Sequence, residues 1–266
     1  MTAHRIIDLH AHIRFGDDDV MTGPDQPIGA VGLADVLRLD GVEHGAAIVM
    51  ARAGDMDLVR SRNDAVLAAE KETNGFLIPV TSVHPADGED ALREIDRVAS
   101  LGARMLKLHP NTQRFDVADE AVLEVVRRAG ERGLVVLFDG YSPFDPAQPG
   151  KFLMLAIAAP ETRMILAHMN GPEFLRLMIY NIVARYPWWA ANVYHDISAT
   201  TIFANSPYSA QLEWVIRQIG IDRIVYGSDY PMEDPAEALE AFHSYGFTAD
   251  EQEQILYSNA AWLLNL

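Results

Sequence analysis

The residues that decide the fold run DEAVLEVVRRAGERG (119–133) straight into LVVLF (134–138). The first piece opens with the acids Asp119 and Glu120 and closes with Arg127, Arg128, Arg132 and Gly133, which suits the helix dipole and a glycine C-cap. The second is a short, unbroken apolar run, the pattern of a strand buried on both faces. The same unit recurs along the chain. Strand-like runs begin near Ile6, Ala46, Phe76, Arg104, Leu134, Met164, Val193 and Ile224, so successive starts lie 40, 30, 28, 30, 30, 29 and 31 residues apart. Between them lie helical segments with their own punctuation. Asp234 is an N-cap with Pro235 at the first helical position, and Thr248 to Glu251 is a capping box ahead of the apolar run Ile255–Leu264. Eight strand–helix units predict an α/β fold, a closed (β/α)8 TIM barrel forming a single domain over residues 1–266. An open doubly wound sheet is the alternative, but it rarely needs eight evenly spaced units, and no glycine-rich phosphate loop follows the first strand.

Composition narrows the function. With 49% hydrophobic and 22% charged residues the chain can bury a core, which excludes disorder and a coiled coil. The absence of cysteine excludes disulfides, thiolate catalysis and thiolate-bound metal. A net charge of −17 repels phosphate backbones and anionic lipid, so neither nucleic acid nor a membrane is an expected partner. No apolar run reaches the length of a membrane span, and the first residues carry no secretory h-region. The expectation is a cytoplasmic protein acting on a small molecule.

In such a barrel the C-terminal ends of the strands converge on one mouth. Most of the unusual polar residues fall there: Asp8-Leu9-His10-Ala11-His12, Val83-His84-Pro85, Lys107-Leu108-His109-Pro110, Ala167-His168, His195-Asp196-Ile197-Ser198 and Gly227-Ser228-Asp229. His10 and His12 are two apart, so on a strand both rings share a face. Asp229 ends strand eight, which closes the barrel beside strand one, and Gly227 leaves room beneath it. Two imidazoles and a carboxylate make a three-ligand site for a divalent metal such as zinc, with His168 nearby. The turn-rich stretch 16–27 after strand one is expected to be a loop on this face. His84 and His109 read as packed strand-end residues, His84 more firmly, whereas His4, His44 and His243 read as surface. On strand seven only one of His195 and Asp196 can face inward, and Ser198 shares the parity of Asp196.

These motifs, together with Leu166-Ala167-His168-Met169-Asn170-Gly171, Tyr226-Gly227-Ser228-Asp229-Tyr230-Pro231 and Ser258–Leu264, resemble the amidohydrolase superfamily, most of all its amidohydrolase-2 branch of metal-dependent hydrolases and decarboxylases. The resemblance covers essentially the whole chain. It implies one divalent ion, usually zinc, on His10, His12 and Asp229. His168 would orient or activate metal-bound water, or become a ligand itself in a binuclear centre, and Lys107 stands where binuclear members carry a carboxylated lysine. One departure concerns strand five, where the family carries a metal-binding histidine. Phe138 takes that place here, with Asp139 next to it, which argues against a binuclear centre. Phe138 then reads as a wall of the substrate pocket and Asp139 as a hydrogen-bonded support.

A metal held by two neutral imidazoles and one carboxylate lowers the pKa of bound water to about 7 and polarises a carbonyl. Asp229 and His168 are then the catalytic candidates. Arg52, Lys107, His109 and Arg114 could favour a carboxylate-bearing substrate. The leading expectation is a metal-dependent hydrolase of a small amide, ester or lactone. A non-oxidative decarboxylase of a small aromatic or unsaturated acid is the alternative, and a metal-free lactonase or non-catalytic barrel is a third, prompted by Phe138. Tyr180, Tyr186, Trp188 and Trp189 are expected to pack in the core, or, if exposed, to mark the interface of a homodimer, which the resemblance also implies.

Overall fold

A computed structural model of the protein describes residues 5–16, 25–39 and 41–266. Eight parallel strands follow one another in sheet order: β1 (Ile6–Asp8), β2 (Val42–Ile48), β3 (Leu77–Ser82), β4 (Met105–Leu108), β5 (Val135–Phe138), β6 (Met164–Leu166), β7 (Val193–Asp196) and β8 (Ile224–Val225). The seam between β8 and β1 is closed by backbone hydrogen bonds from Leu9 to Tyr226 (3.0 Å), Asp229 to His10 (2.7 Å) and His12 to Tyr230 (2.7 Å). The protein is a (β/α)8 barrel in which each strand is followed by helical structure packed outside it. Seven strand starts match the spacing in the sequence to within a residue, while β2 begins at Val42, four residues before the apolar run at Ala46. Its first residues include Glu43 and His44, which carry no apolar signal.

The helices form where the punctuation placed them. Glu120–Glu131 ends at Arg132 and Gly133, whose φ of 74° lies in the left-handed region that glycine occupies without strain. Asp234 caps Pro235–His243 by accepting from the amides of Ala236 and Glu237, and both bonds of the capping box at Thr248 and Glu251 are made.

Two apolar layers hold the barrel. Inside, Ile7, Leu9, Ile48, Val80, Met105 and Leu137 pack against one another across the lumen. Outside, Leu108, Val136, Phe138 and Leu166 pack against the helices. Each such side chain contributes about 1.5–3 kcal/mol by leaving water. Ala260, Leu263 and Leu264 of the helix Asn259–Leu264 join the inner layer. They do so at the base, where Asn259 donates to the carbonyls of Ile221 and Ile224 and Leu263 O accepts from Arg163. The base is therefore sealed by apolar packing, and the lumen opens only at the other end.

Of the loop expected after strand one, residues 17–24 lie outside the described residues, as does His4. The return of that loop passes over the mouth: Gln26 donates to the carbonyl of His12 (2.6 Å), and Arg14 pairs with Ile28 in a parallel bridge. His44 is half-buried with its ring on the Gly75 carbonyl, and His243 is exposed. Tyr180 is buried, but Tyr186 and Trp188 are 51% and 55% exposed and stack on each other at 5.5 Å, so core packing does not hold for them.

Candidate active site

His10 and His12 follow β1 directly and both turn to Asp229. The Asp229 carboxylate lies 3.3 Å from His10 Nε2 and 3.8 Å from His12 Nε2. Possible ligand atoms of these three residues all fall within 4.8 Å of one another, and each residue is buried. The backbone makes this approach tight. A side chain at Gly227 would bring its Cβ to 2.6 Å from His10 Cβ, so only glycine fits there. Asp229 itself is left-handed, with φ 63°. Asp8 accepts the amides of His10 (3.1 Å) and Ser228 (2.9 Å), which ties the two strand ends together across the seam.

Hydrogen bonds set the tautomers. Asp196 is fully buried, and one of its oxygens accepts from His10 Nδ1 at 2.9 Å. The other accepts the amides of His168 and Ser198, each at 3.0 Å, and the Ser198 hydroxyl. Burial works against the charge on Asp196, but His10, His168 and the Ser198 hydroxyl outweigh it and hold the carboxyl well below the usual range. With Nδ1 donating to Asp196, His10 Nε2 carries a lone pair facing Asp229. Burial, helped by the nearby Lys107 cation, lowers the pKa of His10 and pushes that of His12 further down, so both rings are neutral. Two neutral imidazoles and one carboxylate with converging lone pairs are a fitting donor set for a divalent ion, and Asp196 is placed as the outer carboxylate that would orient His10 toward it.

Lys107, at the inner face of β4, is almost fully buried, and its ammonium stands 3.0 Å from His10 Nε2. Burial lowers its pKa, while Asp139, Asp229 and Asp196 resist that shift. A cation bound at His10 must share this nitrogen with the ammonium or displace it.

A second arm crosses the mouth. His109 Nδ1 pairs with Asp139 at 2.9 Å, and the other oxygen of Asp139 lies 3.6 Å from His168 Nε2. Burial opposes the charge on Asp139, yet the His109 hydrogen bond and the neighbouring cations hold its pKa far down. The Ser198 hydroxyl spends its proton on Asp196, so His168 Nδ1 donates to Ser198 Oγ (2.9 Å) and Nε2 is left toward Asp139. His168, Met169 and Asn170 all have positive φ, between 48° and 67°. Non-glycine residues held there cost of order 1–3 kcal/mol each, and the Asp196 bond to the His168 amide is one of the restraints that keeps them in place.

The structure thus brings together His10, His12, Lys107, His109, Asp139, His168 and Asp229. It corrects two readings. Phe138 is not a pocket wall: it faces outward, fully buried, with its ring edge-on to Phe152 at 5.2 Å. Asp139 is the residue at the inward end of β5, and it reaches the mouth without a bulge, its amide bonded to the Leu108 carbonyl in register. Arg52 stands apart. It lines a neighbouring cavity of about 350 Å³ with His84, Thr112, Gln113 and Arg114. His84 is packed and satisfied, its ring on the Gln113 carbonyl and the Ala86 amide. Asp196 was not singled out in the sequence, although it organises both His10 and His168. The only signal was parity on strand seven, which could not choose between it and His195.

A family model described as amidohydrolase matches residues 7–266. The chain belongs to the amidohydrolase family. It is an enzyme fold throughout its length, and solved structures match it end to end. A 2,6-dihydroxybenzoate decarboxylase complexed with 2,6-dihydroxybenzoate superposes with a TM-score of 0.75 at 14% identity, over 99% of this chain and 100% of the other. The 5-carboxyvanillate decarboxylase of Sphingomonas paucimobilis gives 0.70 at 17%, over 99% and 100%. That of Novosphingobium aromaticivorans, complexed with manganese and 4-hydroxy-3-methoxy-5-nitrobenzoic acid, gives 0.75 at 16%, over 99% and 96%. No curated protein is similar enough in sequence to count as a relative. In this amidohydrolase no helix among the described residues is long and apolar enough to cross a membrane.

Proposed function

We propose that this amidohydrolase is a metal-dependent, non-oxidative decarboxylase of a small aromatic or unsaturated carboxylic acid, the alternative rather than the leading expectation from sequence. The observation that carries the reading is one mouth holding a His/Asp cluster that could bind a metal, a buried ammonium and an oriented imidazole, in a barrel that superposes end to end on decarboxylases of hydroxylated benzoic acids. His10, His12 and Asp229 would hold one divalent ion, zinc or manganese. When bound, such an ion supplies a positive centre that anchors a substrate oxygen and takes up developing negative charge.

The chain's own residues do the rest. Lys107 offers its ammonium to the substrate carboxylate at the floor of the mouth, and His109, steadied by Asp139, offers a second donor. The bond between the ring or vinyl carbon and the carboxylate carbon breaks, its electron pair stays on the substrate carbon, and CO2 departs. His168 Nε2 takes up a proton from solvent and delivers it to that carbon, so one proton is consumed for each CO2 released. Ser198 and Asp196 keep the ring aimed. His168 serves here as a proton carrier and Asp229 as a ligand.

The test is turnover of 2,6-dihydroxybenzoate, 5-carboxyvanillate and related acids by protein reconstituted with zinc or manganese, run in deuterated water. The expected result is stoichiometric CO2 with one deuterium at the vacated carbon. Products carrying oxygen from labelled water, with no CO2 from any acid, would overturn it in favour of hydrolysis.

A further inference from the structure

Behind β7, on the side of the barrel wall away from the mouth, lies a cavity of about 180 Å³. Its walls are the rings of Tyr180 and Trp189 and the apolar side chains of Ala184, Val193 and Ile219. His195 also lines it, because Asp196 takes the inward position on the strand. Two polar atoms here have no hydrogen-bond partner: His195 Nδ1 and the Tyr180 hydroxyl. Both residues are more than nine-tenths buried, and their rings meet edge-on at 5.1 Å. Buried polar atoms are nearly always paired, so two such atoms lining one cavity point to an occupant.

The chemistry of that occupant follows from the walls. Burial pushes the pKa of His195 down to about 3 and that of Tyr180 up, so both groups are neutral. The guanidinium at the edge, Arg223, is paired with Asp222, which lines the same cavity, and donates to the Ala191 carbonyl and the Tyr194 hydroxyl, so the lining carries no net positive charge to favour an anion. A phenol hydroxyl gives one hydrogen and accepts another, and a histidine nitrogen beside a tyrosine hydroxyl can meet both needs, the nitrogen accepting and the tyrosine hydroxyl donating. The volume is also close to the ~150 Å³ of an apolar cavity that takes up benzene. We propose that this cavity binds a small neutral phenol, its ring against Trp189, Val193 and Ile219 and its hydroxyl between Tyr180 and His195. The site is independent of the reaction assigned to the mouth.

The experiment uses phenol itself, with toluene and benzoate as comparators, titrated calorimetrically into the wild-type protein and into Tyr180→Phe, alongside a crystal structure of the phenol-soaked protein. Tyr180→Phe removes only a hydroxyl that has no protein partner, so the fold survives. The expected result is phenol in the cavity, with about tenfold weaker binding for Tyr180→Phe and for toluene and no binding of benzoate there. Ordered water bridging Tyr180 and His195 with no phenol, phenol seated only at the barrel mouth, or equal affinity in the variant would each overturn the assignment.

Discussion

The two ends of this barrel are built on opposite principles. At the base, Ala260, Leu263 and Leu264 fill the lumen with apolar atoms. At the mouth, three carboxylates, four imidazoles and an ammonium are gathered largely out of water, with Asp196 paired to His10, Asp139 to His109 and Lys107 to His10. Burying charge costs far more than burying a methyl group, so the mouth persists because its buried charges are paired and because the apolar layers below and around it supply the stability. The difference separates two consequences of mutation. Damage at the base falls on the fold, and damage at the mouth falls on metal and chemistry.

The largest expected effect is at the mouth. His12→Asn removes one of the three converging donors, and turnover and metal affinity fall by more than about 100-fold, read by elemental analysis and steady-state rates. Retention of both would show that the constellation is not the metal site. Leu263→Ala does the reverse. Denaturant unfolding records a loss of about 2–5 kcal/mol while the metal content of the folded fraction stays at the wild-type level. Loss of metal in step with stability would show the two ends to be coupled.

Why the base and walls were legible in the sequence, and parts of the mouth were not, has a physical cause. The strand beat shows through because strands buried on both faces are runs of Val, Leu and Ile whatever their phase. That same property hides the phase. In β5 Val135 and Leu137 face in while Val136 and Phe138 face out, yet all four are apolar, so nothing local tells Phe138 from Asp139 as the residue at the mouth. In β7 the inward member is Tyr194 and the outward one Val193, and the choice between His195 and Asp196 is equally hidden. His10, His12 and Asp229 escaped this ambiguity because the His-x-His pair defines its own face. Gly227 added a second sign, a residue small enough to let the strands touch.

Two further predictions sharpen the contrast. Asp196→Asn keeps the shape of the side chain but weakens its hold on His10 Nδ1, and metal affinity falls about 10- to 100-fold with little change in unfolding. An unchanged affinity would make Asp196 a mere packing residue. The smallest effect sits where the two regimes meet, at Asp8. Burial raises its pKa from 3.8 to about 6, although hydrogen bonds from Ser228 and His10 pull the other way. A carboxyl raised on folding adds stability that is complete below its unfolded pKa and is lost as pH rises through its folded pKa. The wild type should therefore lose stability relative to Asp8→Asn between about pH 4 and pH 6, in denaturation curves taken across that range. Parallel curves for the two proteins would mean that Asp8 is charged throughout.

The seam between the first and last strands has a consequence for biogenesis. His10 and His12 on one side of it and Asp229 on the other cannot meet until β8 has been made, long after β1. Until then the histidines near the start wait in an unfinished sheet with exposed edges, a state open to wrong pairing and to premature capture of stray ions. The cluster that could hold a metal is thereby assembled only when closure of the ring brings the two strand ends together.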